Sequence, residues 1–191
     1  MDPETQAVAV QMLERAGKIN SVQVLIEENS LLNKRSIYKP LDGTSSTDLD
    51  DFPHLSLDDL RNITMGVYQV KQAPAYTKEH TDDDGGYELM ACRDFPDLLR
   101  VKIQSRHSKN AIHTLWIQYT SDTGNIRGWY CTCKVGARVV GCCAHVASVL
   151  WFLGWKRHLP EDQLGKPGLA SSCLNASSSS GTFSSNDPLE E

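Results

Sequence analysis

One set of side chains limits what this chain can fold into more than any other. It is Cys131-x-Cys133, then a nine-residue spacer, then Cys143-x-His145. Two residues apart on a strand, Cys131 and Cys133 point to the same side, so both thiolates can reach one ion. Cys143 and His145 stand at the start of an apolar stretch that reads as a helix, where a turn brings alternate side chains together. Four N/S ligands in two close pairs match a closed tetrahedral zinc site, and the helix N-terminus favours the negative charge of thiolates. The spacer, residues 134–142, must reverse the chain from strand to helix, and Gly136 and Gly141 allow the turns this requires. Four protein ligands fill a structural zinc and leave no position for a catalytic water, so the site reads as a folding site. Six Cys in 191 residues is not rare, but four of them within thirteen positions beside a His is. Cys142 with His145 spells C-x-x-H, so on spacing alone either neighbour can be the third ligand. Cys92 and Cys173 have no partner at motif spacing and read as ordinary thiols.

The periodicity around this set changes along the chain. Leu99, Val101 and Ile103 alternate with Arg100, Lys102, Gln104 and Arg106, which predicts a half-buried strand. Residues 108–110 (SKN) predict a turn. A second strand follows, with Leu115, Ile117 and Tyr119 on one face and Trp116 on the other. Residues 121–125 (SDTGN) predict another turn, and a third strand over 126–133 leads into the ligands. Three short strands with tight turns suggest an antiparallel meander. In 143–153, Val146, Val149, Leu150 and Leu153 recur at helical spacing, and Gly154 is a natural C-cap.

Upstream, residues 5–16 (TQAVAVQMLERA) predict a short helix stopped by Gly17. Residues 21–32 predict a second, with Ser21 as N-cap; Val22, Val24 and Ile26 leave a strand as the alternative. Residues 40–53 are rich in turn formers and read as a linker. Residues 56–73 predict a helix opened by Ser56 with Asp59 three residues on, with Leu57, Leu60, Thr64, Val67 and Tyr68 along one face, and ended by Pro74. Residues 82–86 (DDDGG) read as a solvated acidic turn before a strand, since their oxygen ligands do not continue at calcium-loop spacing. Beyond Pro160 the Ser-rich, acidic chain cannot bury enough apolar area to order itself. The expected fold class is therefore α+β: N-terminal helices, a small antiparallel meander with a zinc-stapled ββα unit, and a disordered tail. The expected segments are 1–39 (helical), 40–55 (acidic linker), 56–94 (helix and acidic turn), 95–158 (strands and zinc unit) and 159–191 (tail).

Charge divides along the same lines. The formal net charge is −5, which excludes a globally basic nucleic-acid binder. Residues 93–158, however, carry 10 basic and 3 acidic side chains, net +7, against −8 before them and −4 after. The candidate phosphate contacts are Arg100, Lys102 and Arg106 on a strand face and Lys134 and Arg138 on the spacer, with Lys156 and Arg157 after the helix. Trp151, Phe152 and Trp155 offer either an interface or core packing, and core is the expected role for so small a unit. Asp48, Asp50, Asp51, Asp58 and Asp59 lie in and beside the linker and read as solvated charge, and no His stands at catalytic spacing to a nucleophile. No enzymatic activity and no small-molecule substrate are expected. The longest apolar run, 146–155, is half the length a membrane span needs. Met1-Asp2-Pro3-Glu4 lacks a signal-peptide core, so a reducing nuclear or cytoplasmic location is expected. On that ground Asn62-Ile63-Thr64 and Asn175-Ala176-Ser177 are discounted as glycosylation sites.

At Cys131, Cys133, Cys143 and His145 the sequence resembles the SWIM zinc finger, whose signature is C-x-C, a variable spacer and C-x-H on a ββα unit. The resemblance covers roughly residues 112–153, including Trp129 and Tyr130 before the first ligand and the apolar helix after His145. It favours Cys143 over Cys142 as third ligand, and implies one structural zinc and a DNA-binding or protein-interaction role. The runs 57–62, 66–73, 104–107, 128–131 and 141–145 are also similar to SWIM-bearing proteins derived from transposable elements. This chain would then correspond to the piece that follows a transposase core.

Overall fold

The alternation at Leu99, Val101 and Ile103 sets the sheet. In a computed structural model, which describes residues 20–41, 49–65, 67–81, 87–105, 108–120, 124–134 and 141–160, this run is β3 (Leu98–Ser105). It pairs antiparallel with β4 (Ser108–Thr120), with Leu99 opposite Ile117 and Val101 opposite Leu115. β5 (Asn125–Cys131) closes that side, with Trp129 opposite Ile117 and Cys131 opposite Leu115. Two further strands, β1 (Tyr38–Leu41) and β2 (Glu88–Cys92), extend the other side. The result is a five-stranded antiparallel sheet in simple chain order, β1-β2-β3-β4-β5.

Side chains on one face of the sheet meet α4 (Ala144–Gly154), α3 (Val67–Thr81) and α2 (Leu57–Thr64). Leu99, Val101, Ile103, Leu115 and Ile117 form the main core with Val146, Val149, Leu150 and Leu153. The other face carries a smaller core under α1 (Ser21–Glu28), where Val22, Ile26 and Leu31 pack on Tyr38, Met90, Leu98 and Trp116. The sheet is thus covered on both faces over part of its area, while the expected meander had a single buried face.

Several local expectations are corrected. α1 starts one residue earlier than Ser21 would allow: Asn20 is the cap, its Oδ1 accepting from the Gln23 N–H at 3.0 Å while its Nδ2 donates to the Trp129 carbonyl at 3.1 Å. The cap therefore also ties α1 to β5. The Ser56 capping box forms as expected, and the hydrogen bonds that Ser56 donates from its hydroxyl and its N–H hold the Asp59 carboxyl below its usual range. The helix it opens ends at Thr64, however. Met65 turns left-handed at φ 55° and α3 begins at Val67.

Pro74 does not stop α3, which runs through it to Thr81. A proline removes one intrahelical hydrogen bond. Here tertiary packing outweighs that loss, since Val70, Ala73, Tyr76 and Thr77 are buried on both sides of it. Within the expected linker, Leu49 and Phe52 are core residues and Leu41 ends a strand. Residues 108–110 belong to β4, and the third strand stops at Cys131. Gly154 is not a left-handed cap but the last helical residue, and the cap is Trp155. A Cβ there would lie 2.7 Å from Leu55 Cδ1, and the Gly154 carbonyl accepts from the Leu55 N–H at 2.8 Å. Lacking a side chain, Gly154 lets the segment before α2 close against α4. The predicted helix over 5–16, the acidic turn at 82–86 and the tail from residue 161 lie outside the described residues.

The region that carries the four candidate ligands draws on elements before residue 95: β2 is the ladder partner of β3, and α3 covers α4. Residues 95–158 alone, with zinc added, are therefore expected to give a poorly dispersed proton–nitrogen NMR spectrum, and the full chain a dispersed one. Equal dispersion from the fragment would show that this segment is autonomous.

Candidate metal centre

β5 delivers the first two donors at its end. Cys131 is its last residue, and the extended run continues to Thr132, whose N–H donates to the Thr114 carbonyl at 3.0 Å while its Oγ1 accepts from the Thr114 N–H at 3.0 Å. Strand alternation then turns Cys131 and Cys133 to one side, inward, and Thr132 outward. Cys143 occupies the N-cap position of α4 and His145 its first turn. The donor atoms of Cys131, Cys133, Cys143 and His145 all lie within 4.8 Å of one another, and all four side chains are buried. Nδ1 of His145 is 3.9 Å from the sulfur of Cys131 and 3.9 Å from that of Cys143. A tetrahedral ion with metal–sulfur bonds of about 2.3 Å spaces its sulfurs about 3.8 Å apart. The donors need only a small contraction to close on one ion, so this buried cluster can hold a metal.

The electrostatics point the same way. The neighbouring Cys133 and Cys143 thiols and burial push the Cys131 thiol far up. Cys143 gains some relief from the Cys131 thiol, but Cys133 and burial outweigh it and push Cys143 up to about 12. Three sulfurs this close in a dry site cannot ionise together against their own repulsion. A divalent cation among them supplies the missing counter-charge, and binding would release the thiol protons, so affinity falls as pH falls.

The structure separates the adjacent cysteines. Cys143 is in the cluster; Cys142 is buried in the main core outside it, with its thiol raised chiefly by desolvation. Gly141 sets this register. It has φ +91°, and a Cβ would lie 2.8 Å from the Thr64 carbonyl oxygen at the end of α2. Its own carbonyl accepts from Trp129 Nε1 at 3.3 Å. The approach to α4 is therefore pinned between β5 and the α2–α3 junction. Two groups around the cluster carry no motif signal. Tyr76 of α3 meets the His145 ring edge-on at 5.6 Å, and the His113 ring of β4 lies 4.8 Å from it. Burial, then the nearby His145, pulls the His113 imidazole below its usual range.

The candidate phosphate contacts fare unevenly. Arg100 is only 7% exposed, with its guanidinium 4.4 Å over the Tyr38 ring and 5.7 Å from Trp116. It is removed from any phosphate-binding surface, because it points to the face that carries the smaller core under α1, with Tyr38 of β1 against its guanidinium. The Lys102 ammonium donates to both carboxylate oxygens of Glu88, at 2.8 and 3.1 Å. Lys134 is exposed on the turn after Cys133, while Arg106 and Arg138 lie outside the described residues. Lys156 sits over Trp151 and Phe152, and Arg157 donates to the Leu49 carbonyl at 2.7 Å. Trp151 is buried, and Phe152 and Trp155 pack on the main core, as expected of core residues. Asp58 pairs with Arg61 and Asp59 belongs to the capping box. Among the described residues, no helix is long and apolar enough to cross a membrane.

Comparisons with protein-family models, with curated proteins and with solved structures find no match.

Native mass spectrometry of cysteine variants tests the assignment. Cys143→Ser should lose stoichiometric metal. Cys142→Ser should keep it, at a stability loss of about 1–2 kcal/mol from a perturbed core. The reverse pattern would place Cys142 in the site.

Proposed function

We propose that this chain is a zinc-stabilised binding module of the SWIM type, comparable with the C-terminal piece of a transposase-like protein, and that it contacts nucleic acid. The observation that carries the zinc reading is the buried meeting of three thiols and one imidazole from a strand end and a helix start. Soft sulfur donors with one nitrogen, in a closed tetrahedral arrangement, suit zinc and not calcium or magnesium. Cys131, Cys133, Cys143 and His145 would hold the ion; when bound, it neutralises the thiolates and fixes β5 against α4. Four protein donors leave no position for a reacting water, so the role we assign is structural, without catalysis.

The nucleic-acid reading rests on the positive excess of residues 93–158 and on Lys134, exposed on the turn beside the ligands. Contacts of this kind go to phosphate and carry little sequence information. A protein partner is the second reading, favoured by one observation. Met65 and Tyr68, 59% and 66% exposed, stand at the α2–α3 junction against which Gly141 packs.

DNA binding measured across a salt series tests both readings. Lys134→Ala should lower the slope of log affinity against log salt by about 0.9, the share of one phosphate contact. Arg100→Ala should leave that slope unchanged while lowering stability by about 1–2 kcal/mol, through lost cation–π contact and packing. No binding by the zinc-loaded chain at low salt would remove the nucleic-acid reading and favour the protein partner.

A further inference from the structure

The cluster has a fifth donor beside it. Leu115 of β4 stands opposite Cys131, and one backbone hydrogen bond, from the Thr132 N–H to the Thr114 carbonyl, with a second from the Thr114 N–H to the Thr132 hydroxyl, continues that register by one residue. Continued one residue further, past the end of β5, the same register sets position 113 opposite position 133. Directly opposed residues on one face of an antiparallel pair have Cβ atoms about 4.5–5.5 Å apart. An imidazole nitrogen extends well beyond its Cβ, so a side chain at 113 can span to the ion that Cys133 would ligate. The His113 ring is half-buried and already lies 4.8 Å from the ring of His145, tilted by 47°. Two imidazole nitrogens on one tetrahedral zinc are about 3.3 Å apart, which ring centroids this close permit.

The four ligands are not equally fixed. Cys131 is in the β5 ladder, and Cys143 and His145 are set by the first turn of α4. Cys133 lies two residues past the end of β5 and leads directly into the exposed Lys134. Its coordination position is thus the one outside the regular elements, and it is the one that the continued register sets opposite His113.

We propose that His113 is a reserve metal ligand, able to occupy the position of Cys133 and convert the Cys3His set into a Cys2His2 set. The proposal rests on the zinc reading above. It gives the site two donor sets for one ion, with the exchange confined to the strand end and the helix ligands unmoved. Both sets are closed and tetrahedral and both suit zinc, so the fold can survive when the Cys133 sulfur is not available.

The test uses the full chain, zinc stoichiometry by native mass spectrometry, and cobalt(II) as a spectroscopic probe. The native chain is expected to bind one ion, with a sulfur-to-cobalt band reflecting three thiolates. Cys133→Ala is expected to keep one ion, with that band reduced by about one third as three thiolates become two. His113→Ala alone should keep one ion and the full band, and Cys133→Ala with His113→Ala should lose the ion. Cys133→Ala with His113→Cys should restore the three-thiolate band, which tests the reach of position 113 even where the single alanine variant folds poorly. Loss of the ion from Cys133→Ala, together with no restored band in the cysteine-transfer variant, would overturn the reserve ligand while leaving the zinc reading intact. Loss of the ion from His113→Ala alone would also overturn it, since a reserve ligand is not required. A native chain that binds no ion would overturn both.

Discussion

The junction between the end of β5 and the start of α4 is the point on which the rest of the structure depends. A strand and a helix that follow each other in sequence can meet at many angles. Here four buried donors, two from each element, converge within 4.8 Å. That convergence decides which face of α4 turns toward the sheet. Once it is set, Val146, Val149, Leu150 and Leu153 lie against Leu99, Val101, Leu115 and Ile117. α3 then covers α4, with Tyr76 against His145 and with the Thr77 hydroxyl accepting from Tyr87 at 3.1 Å. The segment before α2 closes over the far end of α4 at Gly154. Metal binding at such sites contributes free energy on the order of 10 kcal/mol or more, comparable with the whole stability of a domain this size. The main core and the donor cluster therefore act on the same helix, and a metal bound by the four donors would add to the packing of its apolar face.

Much of this was legible in the sequence, and the reasons are physical. The alternation in β3 and β4 is strong because each strand sends large apolar residues to the main core, and period two is a local property. The meeting of Cys131, Cys133, Cys143 and His145 was legible because a metal-ligand pattern restricts both residue type and spacing. The strand β1 was not legible, and of β2 only that a strand follows the acidic turn. Tyr-Lys-Pro-Leu contains a proline, tolerated only because β1 is at the sheet edge. Glu-Leu-Met-Ala-Cys is made mostly of residues that favour helices, and it becomes a strand through pairing with β1 and β3. Pro74 misled in the opposite direction: its local rule is sound, but burial on both sides of it overrides the rule. His113 and Tyr76 carry no motif because their relation to His145 exists only after the sheet and α3 are assembled.

Charge is where linear reading and folded surface diverge most. A net +7 over residues 93–158 is a statement about composition, and the fold redistributes it. Arg100 points into the smaller core, where Tyr38 and Trp116 face its guanidinium in place of a carboxylate. Lys102 is matched by Glu88 across the β2–β3 pair, and Arg157 holds a backbone carbonyl of the segment before α2. These cations stabilise packing, and they are not free to steer a polyanion. Alternation alone could not separate Arg100 from a solvated residue, because the side of β3 opposite the main core reads as solvent unless α1 is known to cover it.

The same closeness of elements explains why the turn into α4 has little freedom. Gly141 lies between two fixed neighbours, the Thr64 carbonyl that ends α2 and the Trp129 indole that projects from β5. Any displacement of Cys143 and His145 therefore presses on the α2–α3 junction, where Met65 is already held in a left-handed turn. A residue with φ near 55° and a side chain is tolerated only where its surroundings determine it. The metal site and that junction are thus in direct mechanical contact through one glycine without a Cβ. The exposed Met65 and Tyr68 border this contact, so the geometry they offer to solvent depends on how the donors across Gly141 are held.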